Sequence, residues 1–184
     1  MIDKQFEQEI HDLVFLPNDN ATYKERVGDP DEFYAVIGRI SINFSVLEET
    51  LSNCIMKILS RLDEVGQMLT VELSFRNKIA LFSSLYLKLK NNFEFNAFKG
   101  FELEHFKAII KALNRAEDLR NKVIHSKFVL NSDNKKNNII RTKITAKQKT
   151  GLKILNEETD VIKLFNIADY IIYVAYVIDE FCLL

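Results

Sequence analysis

Between Asp31 and Leu62 the apolar residues Phe33, Val36, Ile37, Ile40, Phe44, Leu47, Leu51, Ile55, Ile58 and Leu62 recur at three- and four-residue steps without a break. That spacing follows the turn of an α-helix, and a strand with its two-residue period cannot place these residues on one face. A helix of about nine turns must bury a continuous stripe, so the chain has to supply other helices or a sheet to cover it. Asp29-Pro30-Asp31 provides its start, with an Asp able to cap and a Pro suited to the first turn. The 184 residues include only 5 Gly and 2 Pro. So few turn formers exclude a β-sandwich or propeller and favour long helices.

The same period marks further helices. One is expected from Thr70, as cap, to about Lys90, with Val71, Phe75, Ile79, Phe82, Tyr86 and Leu89 as its buried stripe. Another covers roughly 102–126, and a last one runs from about 159 to 182. That last helix is apolar almost all round, which suits the centre of a bundle or a dimer interface. A short amphipathic helix is expected at about 3–14, and the stretch from Asn91 to Gly100 reads as a loop. Between Lys127 and Asn156 the period falls to two: Phe128 and Leu130, Ile140 and Ile144, Leu152 and Ile154. Ser132-Asp133-Asn134 is turn-forming, so this region reads as a β-hairpin with room for a third short strand. The expected fold is all-α: an up-and-down bundle of four to five helices with a hairpin inserted at about 127–156. Residues 1–30 form an acidic N-terminal segment and residues 31–184 the helical domain.

Charge separates function classes. The net charge of −1 excludes a protein that coats nucleic acid through charge alone. Yet residues 1–32 carry nine acids against three bases, and residues 131–153 carry seven bases against Asp133 alone. An anionic partner for the basic insert, or an attraction between the two segments, follows from that asymmetry. The five glycines are too scattered for a dinucleotide fingerprint or a phosphate loop. Cys54 and Cys182 lie in apolar helical sequence with no CxxC and no His at ligand spacing. They read as reduced core residues of a cytoplasmic protein, and no metal or cofactor is expected. The residues after Met1 contain no apolar run of a secretory signal. Lys163, Asp169, Asp179 and Glu180 interrupt the C-terminal apolar stretch, which argues against a membrane span.

The 102–126 helix carries the anomaly. At about 100° per residue, Phe106, Ile109, Leu113, Ala116, Val123 and Ile124 gather on one side, and Arg120 falls in their midst. A guanidinium keeps its charge, so at such a position it needs a carboxylate, an opening to solvent or an anionic ligand. Glu48, at the margin of the first stripe, is one candidate carboxylate. Beside the apolar stripe, Glu117, Asn121 and His125 follow at four-residue steps and share a surface strip. His125 has two readings: a proton carrier, or a cation favoured by the dipole at a helix C-terminus. Arg141, Lys143 and Lys153 are expected on one outward face of the hairpin.

The run Arg120-Asn121-Lys122-Val123-Ile124-His125 resembles the signature of the HEPN superfamily. In that signature an Arg is followed after four to six residues by His, often with a polar residue directly after the Arg. The wider plan is similar as well, with long helices, the motif near the end of an inner helix, and insertions outside it. The resemblance implies metal-independent RNA cleavage by a homodimer whose two motifs line one cleft. It implies Arg120 and His125 as catalytic residues, Asn121 and Glu117 orienting them, and a toxin or phage-defence context with a cognate antitoxin or other partner. Arg141, Lys143 and Lys153 would then help hold RNA. The rival from another class is a non-catalytic helical binding or assembly module, with Arg120 as a structural pair.

Overall fold

The long apolar stripe folds as helix α1 (Pro30–Ile58), with Phe33, Val36, Ile40, Phe44, Leu47, Leu51, Ile55 and Ile58 buried and Ile37 packed at the margin. The structure is a computed structural model describing residues 30–59, 68–89, 103–130, 139–147 and 151–183. The expected 3–14 helix, the Asn91–Gly100 loop and the Ser132–Asn134 turn lie outside those residues. Three further long helices follow: α2 (Phe75–Leu89), α3 (Leu103–Ile124) and α4 (Val161–Leu183). Between α3 and α4 stands an antiparallel sheet of β1 (Lys127–Leu130), β2 (Ile139–Lys147) and β3 (Gly151–Thr159), in the order β1-β2-β3. The protein is thus mainly helical with a small inserted sheet.

Helix α2 starts later than its stripe suggests. Residues 68–71 form a separate helical turn, the Leu73 N–H closes onto the Thr70 carbonyl at 3.4 Å, and the chain begins again at Ser74. Ser74 is the cap: its carbonyl accepts from the Lys78 N–H at 2.9 Å and its hydroxyl from the Asn77 N–H at 3.4 Å. Val71, left on the detached turn, is exposed rather than buried. At the start of α4, Asp160 caps, its carboxylate accepting from the Lys163 N–H at 2.7 Å.

Side-chain contacts fix the sense of the helices. On α1 and α4, Arg39 bonds Asp169, Asn43 bonds the Ala168 carbonyl and Cys54 meets Cys182, so the two helices run the same way. Phe44 against Phe75 and Glu48 against Lys78 give α2 that same sense. Helix α3 runs oppositely: Phe106 stacks on Tyr86 with ring centres 3.6 Å apart and also meets Phe181, while Arg115 lies over Tyr170 and Arg120 over Phe44. A strictly alternating order therefore fails between α1 and α2, which run in the same sense. The core is one cluster of Leu, Ile, Val and aromatic side chains from all four helices, with Ile139 of β2 buried and Phe128 of β1 packed against its edge.

The cysteines depart from expectation. Cys54 and Cys182 are joined in a disulfide, their Cα atoms 5.7 Å apart. Their sequence surroundings resemble those of reduced core cysteines; the parallel packing of α1 on α4 brings them within bonding reach. The argument for a cytoplasmic setting from reduced thiols goes with that pairing. Helix α4 is long and apolar enough to cross a membrane, but half of its apolar window is buried inside this protein.

Candidate functional site

Arg120 stands where α1, α2 and α3 meet. It is half-buried, its guanidinium lies 5.1 Å from the centre of the Phe44 ring, and Phe44 in turn packs on Phe75 at 4.7 Å. One guanidinium nitrogen, Nη1, donates to Asn121 Oδ1 at 2.9 Å. The Nε–H is fully buried and has no acceptor among the described residues. Among the described residues no carboxylate lies within ion-pair distance of Arg120. Glu48, the candidate partner, instead accepts from Lys78 Nζ at 2.8 Å. The reason is geometric: Lys78 projects from the α2 stripe with its stem buried, and Glu48 is the acid it reaches. Arg120 is held by an aromatic face and a neutral amide, which fix its position without cancelling its charge.

Glu117, one turn earlier on α3, feels Arg120 without bonding it. Burial raises its carboxyl above the ordinary carboxylate range; Arg76 and Arg120 oppose that rise and Asp118 adds to it. His125 follows the last residue of α3, and its backbone N–H donates to the Asn121 carbonyl at 3.3 Å. Its imidazole is exposed and makes no hydrogen bond among the described residues. Asn121 therefore touches Arg120 through its side chain and His125 through its backbone, while Glu117 completes the strip on the other side.

The end of α3 is closed by the sheet. Arg141 Nη1 donates to the Lys122 carbonyl at 2.8 Å and to Ser126 Oγ at 3.5 Å, and Nη2 donates to Glu157. Its side chain is only 12% exposed, so it does not face outward as expected: Arg141 caps a helix and braces β2 to β3. Register explains this. Phe128, Arg141 and Glu157 are Cα partners, as are Lys143 and Leu155, and Thr145 and Lys153. Arg141, Lys143 and Lys153 share a face as expected, but that face lies under the helices at its Ile139–Arg141 end and emerges only beyond it. Lys143 is half-buried and Lys153 exposed.

Three members of this cluster escaped the sequence reading: Phe44 as the platform, Lys78 as the partner of Glu48, and Arg76 beside Glu117. A signal for Lys78 existed. It lies three residues after Phe75 and four before Phe82, so it breaks the α2 stripe as Arg120 breaks that of α3. Among the described residues, no group of three His, Cys, Asp or Glu side chains is placed to hold a metal ion. No family model, curated protein or solved structure matches the chain.

Proposed function

We propose that this protein is a HEPN-type endoribonuclease, acting as a homodimer on RNA without a metal, in a toxin or phage-defence role under the control of a cognate partner. In this reading the four long helices are the HEPN-like bundle, with the shared sense of α1 and α2 as its departure from a simple up-and-down order. One observation carries the proposal: Arg120 is held among aromatic and apolar groups and, among the described residues, has no carboxylate bonded to it and a buried N–H that lacks an acceptor. Such an arrangement suits an anion that arrives from outside.

The chemistry follows from the residues. His125 supplies an imidazole, a side chain with one nitrogen that can accept a proton and one that can give a proton up. It removes the proton from a ribose 2′-hydroxyl, whose oxygen forms a bond to phosphorus while the bond from phosphorus to the 5′-oxygen breaks. A 2′,3′-cyclic phosphate and a 5′-hydroxyl result, the leaving oxygen taking a proton from a second imidazole in the cleft. Arg120 binds the phosphate oxygens as their charge grows, and Asn121 fixes the direction of the guanidinium. Lys143 and Lys153 hold the backbone on either side.

The test is cleavage of single-stranded RNA by purified protein in EDTA. Wild type is expected to cut, and His125→Ala and Arg120→Ala each to lose at least a hundredfold in rate while keeping their helical circular dichroism. Unchanged rates in both variants would remove the assignment and leave the helical binding module in its place.

A further inference from the structure

The edge of the sheet is self-complementary. β3 is the outer strand in the order β1-β2-β3, and residues 153–158 are exposed throughout. Ile154 and Leu155 are among the most exposed large apolar residues, at 58% and 60%. A nine-residue edge with central apolar residues and no covering element among the described residues is a template for another strand. The sequence of β3 specifies which one. It reads Lys153-Ile154-Leu155-Asn156-Glu157, so an antiparallel second copy centred on Leu155 sets Lys153 of each chain opposite Glu157 of the other and Leu155 opposite itself. Because alternate residues share a face, both ion pairs and the leucine contact fall on one side of the joined sheet. Glu157 is 65% exposed and uses one oxygen for Arg141, leaving the other for a lysine.

We infer that β3 pairs edge to edge with β3 of a second copy, making a continuous six-stranded antiparallel sheet. The twofold axis of such a pair stands perpendicular to the sheet, so the helices of both copies lie on the same side. Three strand spacings separate the two Arg141 residues across the sheet, about 14 Å, and four residues offset them along it, about 14 Å again. Their separation is then about 20 Å. Each Arg141 holds the carbonyl of Lys122, so the two α3 ends, each with Arg120 and His125, face one another across a strip bearing Lys143 and Lys153 of both chains. Only this last consequence rests on the nuclease reading; the pairing itself stands on the sheet.

The assembly is measured without RNA, so its failure is distinct from a failure of catalysis. Sedimentation of wild type at micromolar concentration is expected to give twice the 21.4 kDa chain mass. Lys153→Glu and Glu157→Lys, each repelling its own copy, are expected to weaken self-association at least tenfold. An equimolar mixture of the two variants should restore a dimer, because each then meets its opposite charge. Leu155→Cys should form an intermolecular disulfide under mild oxidation, since the paired Cα atoms of an antiparallel ladder lie about 4.5–5.5 Å apart. Circular dichroism separates misfolding from dissociation, and the cross-link needs neither charge variant. A monomeric wild type overturns the inference. So does a dimer indifferent to Lys153→Glu and not captured by the Leu155→Cys link, which would place the contact elsewhere, such as the Ile42, Val46 and Ile172 face of α1 and α4.

Discussion

Two cations sit in apolar surroundings, and removing the partner of one and the side chain of the other should give different results. Lys78 has 7% of its side chain exposed and relies on Glu48, itself 36% exposed. Glu48→Ala strands a buried ammonium. Removing one partner of a fully buried pair costs about 3–5 kcal/mol, and the exposure of Glu48 reduces this to roughly 2 kcal/mol. For a chain of this size that lowers Tm by roughly 4–8 °C. Arg120→Met forfeits the contact with Phe44, about 1 kcal/mol, and the bond to Asn121, about 1 kcal/mol. It also removes a buried N–H without an acceptor, worth about 1–3 kcal/mol. These terms nearly cancel, so Tm should stay within about 4 °C of wild type while RNA cleavage is lost. Thermal melts followed by circular dichroism at pH 7, with cleavage measured on the same samples, make the comparison. If Arg120→Met melts as low as Glu48→Ala, the guanidinium holds the fold together and the reasoning from its missing carboxylate fails.

Three other outcomes are expected. Cys54→Ser, or reduction of wild type, opens a link spanning 128 residues and should cost about 4–5 kcal/mol on a chain-entropy account, read as a fall in Tm with added reductant. The buried Tyr170 hydroxyl is pushed up to about 12 by desolvation, which outweighs the opposing charge of Arg115. Its folded value lies above the unfolded one, so its contribution is complete below pH 10 and is lost as pH rises toward 12; denaturant titrations should lose roughly 2–3 kcal/mol over that window in wild type, and Tyr170→Phe should remove this loss. Arg141→Met leaves the Lys122 carbonyl uncapped and should cost about 1.5–3 kcal/mol, with faster amide exchange at the end of α3 as the readout.

Much of the helical frame was legible because burial imposes a period. The stripe from Phe33 to Ile58 and the drop to alternation after Lys127 both report a face turned to the core. Properties set by neighbours distant in sequence were not legible. Nothing local distinguishes Cys54 and Cys182 from reduced thiols until α1 and α4 are laid side by side. Alternation placed Arg141, Lys143 and Lys153 on one face, but which end of that face lies under the helices depends on where α3 stops. Thr70 and Ser74 are both good caps, and it is Ser74 whose carbonyl and hydroxyl take the first N–H groups of α2. At the candidate site the oddity of Arg120 was visible in one helix. Its lack of a carboxylate among the described residues was not, since Glu48 is claimed by a lysine from a third helix.

The bond between Cys54 and Cys182 makes a covalent ring of the chain, and α2, α3 and the whole sheet lie on its circumference. A protease that severs the backbone once anywhere on that ring yields two pieces still tied together. Such a nicked molecule keeps its full mass on a non-reducing gel, and only treatment with a thiol separates the fragments.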